Sequence, residues 1–337
     1  MLNNHWYIAC ASSQLDASPR AFTLLGEPLV AYRGVDGVPA VLEDRCCHRG
    51  VQLSLGSVTP EGRIACRYHG WEYDASGRCQ HVPSLCAGSR VPDGFRVRSR
   101  PCVEQDHYVW AWMGEEPPPA GPSPIRHAAD HGWTQGVIES ACSADLLMDN
   151  ILDASHIPFV HAGTHWSYFL NKLFGFKAYE YEVRQTGLGL AVFYPPGTAD
   201  AEGEGVHLGE HVSSYLEFEL PDRLYVFQRA TRGQFYLVIH AVRSSATTTR
   251  VEWLMQSREV GQGVVWKGSD NLTLNQDRRL LESAQINYDR GGADFERHVP
   301  ADFPTLQARR VLALAREGGW PARRQEIPQR KLVLVRQ

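Results

Sequence analysis

The first third of the chain alternates apolar and polar residues with a period near two. Short apolar runs are separated by Gly, Asp and Pro between Trp6 and about Trp112, and the clearest read LVAYRG, VPAVLED, GRIACRYHGWEYD and HYVWAWMG. This alternation is typical of strands with one buried face, and the separating residues favour turns. The sequence therefore predicts an all-β domain in this region.

A proline-rich segment ends the alternating pattern. Residues 115–124 read EEPPPAGPSP, and each proline fixes φ and lacks an amide donor, so neither a helix nor a sheet continues through them. A chain of 337 residues is also longer than most single hydrophobic cores. We therefore expect a first domain over residues 1–116, a linker over 117–125 and a second domain over 126–337.

The second domain combines helical and strand patterns. Residues 144–154 and 264–285 have helical periodicity, and the second of these helices should begin near 268–270. Segments with strand-like alternation lie between the two helices, at residues 183–193, 215–220, 224–230, 235–243 and 249–256. The predicted fold class is α+β: an all-β domain followed by a helix-grip domain, in which helices hold an antiparallel sheet.

Composition and charge narrow the function classes. Hydrophobic residues make up 43% of the chain and the formal net charge is −4, without a run of Lys or Arg. We therefore expect an ordered protein that binds neither nucleic acid nor a membrane surface. The N-terminus has no secretion pattern, which predicts a cytoplasmic protein, and the eight cysteines then indicate metal ligands and buried thiols more than disulfides.

The first group of candidate ligands lies in the all-β domain. Cys46 and His48 form a C-x-H pair, and Cys66 and His69 form a C-x-x-H pair. A Rieske cluster needs two thiolates on one iron and two imidazoles on the other, so one Cys and one His from each of two loops suit it. Zinc also accepts two Cys and two His, but zinc fingers group the cysteines together instead of alternating them with histidines. Cys47 does not fit the first pair, because Arg49 stands two residues after it.

The second group lies just after the first predicted helix of the second domain. His156 and His161 are five residues apart and follow Asn150 and Asp153. Two histidines and one carboxylate make the facial triad of oxygen-activating iron, which leaves positions open for O2 and substrate. The third ligand should come from a distant segment of the sequence.

Asp277 is the predicted third ligand. It shares a helical face with the apolar residues Leu280, Leu281 and Ala284, and a carboxylate on an apolar face is costly unless it is paired or ligated. The alternative is a helix-start acid or a buried ion pair. Asp270 and Asp289 are the reserve candidates.

These motifs resemble those of Rieske non-haem iron oxygenases. CCHRG and CRYHGWEY resemble the two cluster loops, although many relatives have Pro where Cys47 stands. The later pattern N-x-x-D-x-x-H-x-x-x-x-H, followed by a helical acid, is similar to that of homotrimeric monooxygenases. The resemblance extends to toluenesulfonate methyl-monooxygenases, vanillate O-demethylases and cyanobacterial alkaloid-toxin hydroxylases.

The resemblance implies a terminal oxygenase component with a Rieske [2Fe-2S] cluster and a mononuclear Fe(II). It identifies Asn150 and Asp153 as catalytic residues, with Asp153 accepting a hydrogen bond from His156 and linking the iron to His48 or His69 of a neighbouring subunit in a homotrimer. It also implies O2-dependent hydroxylation or oxidative demethylation of a small aromatic, heteroaromatic or polycyclic substrate.

Three further points bear on function. No nucleotide-binding motif is present, so electrons should come from a separate NAD(P)H-dependent reductase or ferredoxin. The alternatives are a cis-dihydroxylating ring dioxygenase and a Rieske electron-transfer protein without a catalytic iron. Residues that could meet the substrate are Trp166, Tyr168, Phe169, Leu170, Phe174, Phe176, His207, Glu210, Arg229 and Arg232.

Overall fold

The structure is a computed structural model that describes residues 2–86, 88–126, 132–161, 178–194, 214–230, 233–258 and 272–336. The chain divides into two compact units, Met1–Ala129 and Asp130–Gln337. None of the helices in these described ranges is both long enough and apolar enough to cross a membrane.

The first unit is built from three small antiparallel sheets. In the described residues their strand orders are β1-β11-β10, β2-β3-β4-β9 and β5-β6-β7-β8. The strands are β1 His5–Ala11, β2 Arg20–Leu24, β3 Glu27–Arg33, β4 Pro39–Glu43, β5 Ser57–Val58, β6 Ile64–Ala65, β7 Glu72–Tyr73, β8 Cys79–His81, β9 Ser99–Arg100, β10 Cys102–Gln105 and β11 Tyr108–Met113. Strand β11 is buried along its whole length, because its aromatic and branched side chains pack on both faces.

The second unit contains one large antiparallel sheet and several helices. The described strands follow the order β12-β18-β17-β16-β15-β14-β13-β19. They are β12 Thr134–Ser140, β13 Ala178–Gln185, β14 Gly189–Tyr194, β15 Ser214–Glu219, β16 Arg223–Ala230, β17 Gly233–Arg243, β18 Thr249–Arg258 and β19 Arg330–Arg336. The α-helices are α1 Ala144–Leu152, α2 Ile157–Val160, α3 Leu272–Gly291 and α4 Phe303–Arg316. The predicted α+β class is confirmed.

Two predicted elements differ from the structure. The single strand expected over residues 183–193 is wrong: β13 and β14 are separate strands joined by a tight turn in which the Thr186 amide donates to the Gly189 carbonyl at 3.0 Å. The helix expected over 144–154 ends at Leu152, because Asp153 adopts an extended conformation with ψ of 105°. A short 3-10 helix, Ala154–His156, follows it.

The buried face of α3 is also rotated from the predicted one. Leu274, Asp277 and Gln285 are buried, whereas Leu280 is 53% exposed, so the expectation that Leu280 shares the face of Asp277 is wrong. Helix α3 continues to Gly291, six residues beyond the predicted end, and residues 264–271 lie outside the described ranges. Asp277 nevertheless lies on the side of the helix that faces the interior.

Candidate metal centres

Two loops with the same backbone geometry hold the first group of ligands. The Cys46 amide donates to the Val51 carbonyl at 2.8 Å, and the Gly50 amide donates to the Cys46 carbonyl at 2.9 Å. The second loop repeats both bonds with equal lengths around Cys66, using Trp71 and Gly70. Gly50 and Gly70 have φ of 75° and 69°, a left-handed conformation that favours glycine.

The loops bury the sulfurs and expose the imidazoles. Cys46 and Cys66 are 2% and 3% exposed, whereas His48 and His69 are exposed and their ring centroids are 4.7 Å apart. Burial raises the pKa of the Cys66 thiol, and the neighbouring Cys46 thiol raises it further. Two adjacent buried sulfurs behind two adjacent imidazoles match the ligand set of a two-iron cluster, in which iron takes the place of the thiol protons.

Aromatic side chains surround this ligand set. Trp71 is stacked on His48 at 4.5 Å between ring centroids, with an angle of 2° between the planes, and Phe95 is stacked on Trp71. Tyr68 is 59% exposed and lies 3.8 Å from the His69 ring centroid. Trp71 therefore both packs in the core and fixes the orientation of a predicted ligand.

Tyr73 is a functional candidate that sequence reasoning missed. Its hydroxyl oxygen lies 3.0 Å from Cys46 Sγ and 3.3 Å from Cys47 Sγ, and its side chain is fully buried. Burial raises the pKa of Tyr73, and its bonds to Cys46 and Cys47 raise it further. The sequence signal that could have identified Tyr73 is its position two residues after Trp71, next to the second cluster loop.

The second group of ligands converges from two helical segments. His156 Nε2 lies 3.3 Å from His161 Nε2, and Asp277 Oδ1 lies 3.3 Å from His161 Nε2 and 3.6 Å from His156 Nε2. His161 and Asp277 are 3% and 2% exposed. The structure thus brings all three predicted ligands to one point, with one donor atom from each available to a metal ion.

The hydrogen bonds of the two imidazoles test whether a cation fits this point. His156 Nδ1 lies 2.5 Å from the Asp153 main-chain oxygen, which only accepts, so Nδ1 of His156 must carry the proton. His161 Nδ1 lies 3.0 Å from Gln276 Oε1, which also accepts. In the neutral rings, both Nε2 lone pairs therefore face each other and the Asp277 carboxylate. Three acceptors this close repel one another unless a cation lies among them, so the site fits a metal ion.

Burial and charge act in opposite directions on the ligands. Burial raises the pKa of Asp277, while the nearby His156 and His161 lower it, and the net direction is upward. Burial also lowers the pKa of His161. Asn150 Nδ2 donates to Asp277 Oδ1 at 3.5 Å, a long bond that directs the carboxylate toward the histidines. A bound cation would stabilise the ionised carboxylate and the neutral imidazole together.

Asp153 does not make the contact predicted for its carboxylate. The main-chain oxygen of Asp153, and not its side chain, accepts the hydrogen bond from His156. The carboxylate instead accepts from the amide and hydroxyl of Ser155 and caps the 3-10 helix. The extended conformation of Asp153 explains the difference, because it turns the carbonyl toward the histidine ring.

An open cleft of about 460 Å³ is lined in part by Asn150 and Asp153. Arg309 crosses it, donating to Asp149 at 2.6 Å and to Glu296 at 2.6 Å. Burial raises the pKa of Asp149 to about 6 despite this arginine, whereas the hydrogen bonds from Arg309 lower the pKa of Glu296 to about 2. The Asp153 side chain therefore borders a charged, open surface.

The remaining predicted residues are Asp289, which the structure describes, and a group that it does not describe. Asp289 is exposed on α3 and accepts a hydrogen bond from Gln285 at 2.7 Å. It is not part of the group formed by His156, His161 and Asp277, so it does not serve as the reserve ligand. The reserve ligand Asp270 and the substrate candidates Trp166, Tyr168, Phe169, Leu170, Phe174, Phe176, His207, Glu210, Arg232 and the Arg229 side chain lie outside the described residues.

Comparison with known families places both centres in matched regions. Residues 5–95 match the profile of the Rieske [2Fe-2S] domain, and residues 140–318 match the vanillate O-demethylase oxygenase C-terminal domain. The chain belongs to the vanillate O-demethylase oxygenase family. Within the vanillate O-demethylase oxygenase family match lie His156, His161 and Asp277, and the Rieske match contains the two cluster loops. The first centre is accordingly that of a Rieske [2Fe-2S] domain and not a zinc site.

Individual relatives are similar to this chain over part of their length. A putative toluene-4-sulfonate monooxygenase iron-sulfur subunit from Comamonas testosteroni is 39% identical over 169 residues, which are 49% of this chain and 47% of the relative. Dicamba O-demethylase oxygenase from Stenotrophomonas maltophilia is 38% identical over 165 residues, 48% of each chain. The chain spans about half or less of the length of the curated relatives it matches.

A solved structure has the same fold. Dicamba monooxygenase bound to 3,6-dichlorosalicylic acid superposes with a TM-score of 0.75 at 21% identity, over 94% of this chain and 98% of that chain. The chain therefore shares the fold of dicamba monooxygenase.

Proposed function

We propose that this protein is the terminal oxygenase component of a Rieske non-haem iron system. It uses O2 and electrons from a separate NAD(P)H-dependent reductase or ferredoxin to hydroxylate or oxidatively demethylate a small aromatic, heteroaromatic or polycyclic substrate. One observation carries the proposal: His156 Nε2, His161 Nε2 and Asp277 Oδ1 lie within 3.6 Å of one another. The same chain also has a Rieske [2Fe-2S] domain.

The residues around the triad have distinct tasks in this proposal. The Asp153 carbonyl and Gln276 fix the tautomer and tilt of the two histidines by accepting their Nδ1 protons. Asn150 orients the Asp277 carboxylate by donating to one of its oxygens. Ferrous iron at this point would supply the activation of O2, and three protein ligands on one face leave room for O2 and substrate. Cys46, His48, Cys66 and His69 would hold the cluster that delivers electrons.

The substrate class rests on the relatives. Their names state monooxygenase and O-demethylase activities on toluene-4-sulfonate and dicamba, both aromatic compounds. Hydroxylation of a methyl or methoxy carbon therefore suits this chain better than ring cis-dihydroxylation. The overall reaction takes up O2, two electrons and two protons and returns water and the hydroxylated product.

The assembly and domain limits complete the proposal. The exposed His48 and His69 suit contact with another copy, and the Asp153 carboxylate borders an open cleft, which supports electron transfer between subunits of a homotrimer through Asp153. We assign residues 1–116 to the cluster domain, 117–125 to the linker and 126–337 to the catalytic domain, and we infer a cytoplasmic location. Light scattering tests the trimer, and a monomer with full activity would contradict it.

Reconstituted turnover tests the proposed function. The protein is combined with a surrogate reductase, NADH and ¹⁸O2, and screened against aryl methyl ethers, N-methyl compounds, methylarenes and polycyclic alkaloids. A substrate should yield formaldehyde or a hydroxylated product containing one ¹⁸O atom. The Asp277→Ala protein is the matched control and should yield neither. Equal product from Asp277→Ala, or oxygen derived only from water, would contradict an iron oxygenase.

A further inference from the structure

The hydroxyl of Tyr73 lies between two sulfurs that have different surroundings. Cys46 Sγ, at 3.0 Å, belongs to a buried predicted cluster ligand, whereas Cys47 Sγ, at 3.3 Å, belongs to an exposed residue that is not one of the predicted ligands. Both distances are within the range of hydrogen bonds to sulfur. One buried hydroxyl thus connects the surface of the loop to the sulfur of a ligand.

The protons of this group can be assigned from chemistry. A tyrosine hydroxyl has one proton to donate and an oxygen that also accepts, whereas an unligated cysteine has a weak S–H donor. When Cys46 is bound to iron it is a thiolate without a proton, so it must accept from Tyr73. The Tyr73 oxygen then remains free to accept from the Cys47 S–H group at 3.3 Å. The resulting chain runs from the Cys47 S–H to the Tyr73 O–H and ends at Cys46 Sγ.

The direction of the effect follows from the charge on the sulfur. A hydrogen bond to a ligand sulfur stabilises its negative charge, which is larger when the cluster is reduced, and thereby raises the reduction potential. A donor to the Tyr73 oxygen polarises its O–H group and strengthens the bond to Cys46, since hydrogen bonds in a chain reinforce one another.

We propose that Cys47, acting through Tyr73, raises the reduction potential of the Rieske cluster. Cys47 is a tuning residue and not a ligand. This inference rests on the cluster of the proposed function but needs neither the mononuclear iron nor a substrate.

Two other cysteines of the first unit, Cys79 and Cys102, make different contacts. Cys79 is buried in the same core as Cys46, Cys66 and Tyr73, but its Sγ donates to the His81 carbonyl at 3.4 Å. Cys102, in β10 of another sheet, donates to the Pro39 carbonyl at 3.2 Å. Cys102→Ala therefore removes a thiol from the same unit without removing a contact to Tyr73, and it serves as the matched control.

A spectroscopic redox titration of the full chain tests the proposal. Cys47→Ala should lower the midpoint potential, and Tyr73→Phe should lower it further. Cys47→Ser, which keeps a donor at this position, should stay near wild type, as should Cys102→Ala. The double variant Cys47→Ala with Tyr73→Phe should match Tyr73→Phe alone, because the effect of Cys47 passes through the tyrosine.

The outcomes separate this inference from the proposed function. A Cys47→Ala potential equal to that of wild type, or a further drop in the double variant, would overturn the role of Cys47 through Tyr73. Iron and sulfide content is measured on each variant, so that only cluster-loaded protein is compared. A wild-type protein without any cluster would instead refute the first centre itself, and a shifted potential in a protein without turnover would leave the tuning role intact.

Discussion

Gln276 offers a way to weaken the proposed iron site without removing a ligand. Its Oε1 accepts from His161 Nδ1 at 3.0 Å, and His161 is only 3% exposed. Gln276→Leu removes this acceptor and leaves the Nε2 ligand atom in place. Loss of a residue that orients a metal ligand typically costs about 10–100-fold in metal affinity, or about 1.4–2.7 kcal/mol. We expect an effect within this range because a single short hydrogen bond is lost from a buried ring.

The assay is a competition for iron. Wild-type and Gln276→Leu proteins are loaded with Fe(II) and titrated with a chelator, and the iron that remains in the mononuclear site is counted after the cluster iron is subtracted. Gln276→Glu, which keeps an acceptor oxygen, should retain wild-type affinity or exceed it. Asn287→Leu, at an exposed position on the same helix, is the control for a new apolar side chain.

One result would refute this reasoning. If Gln276→Leu releases iron at the same chelator concentration as wild type, the hydrogen bond to His161 does not set the geometry of the ligand. The assignment of the His161 tautomer, and the fit of the site to a cation that follows from it, would then lose its support.

Three further predictions concern single residues. Asp153→Asn should nearly abolish single-turnover oxidation of the reduced cluster while both metal centres stay loaded, and because Asn keeps an acceptor for Ser155 the stability cost should be about 1 kcal/mol or less; normal cluster reoxidation would remove Asp153 from electron transfer. Cys66→Ala should lose the visible spectrum of the cluster, and an unchanged spectrum would show that Cys66 is not a ligand. The lowered pKa of Glu296, about 2 beside Arg309, contributes stability that is present above its ordinary value of 4.5 and is lost as the pH falls toward 2. Glu296→Gln should therefore lower the melting temperature at pH 7, by the equivalent of about 1 kcal/mol after solvent screening, and much less at pH 2; equal losses at both pH values would refute the ion pair.

Local patterns were sufficient to select the candidate ligands of both centres. The Cys and His of each cluster loop are two or three residues apart, and each loop closes on itself through a hydrogen bond from Gly50 or Gly70, so the spacing was enough to select these residues. Asp277 could be predicted from the sequence because a carboxylate on a partly apolar helix is unusual. The buried face of the helix nevertheless excludes Leu280. His156 and His161 could be selected from their spacing and from their position after Asn150 and Asp153.

The sequence did not predict contacts that depend on one backbone angle or on the pairing of strands far apart in sequence. The Asp153 carbonyl accepts the hydrogen bond from His156 because ψ of Asp153 is 105°. The residue type does not specify this angle. Strand β19 pairs with β13 across some 150 residues of sequence, for example at Leu332 and Glu182, and its short pattern carries no sign of that partner. Gln276 was missed because an amide beside an acid on a helix is usually exposed.

Metal and sulfide content tests the central claim most directly, the presence of a Rieske cluster and a separate oxygen-activating iron in one chain. Purified wild-type protein should hold about three irons and two acid-labile sulfides per chain, and Asp277→Ala should hold about two of each. A wild-type protein with two irons and two sulfides, unchanged in Asp277→Ala, would contradict the account and indicate an electron-transfer protein.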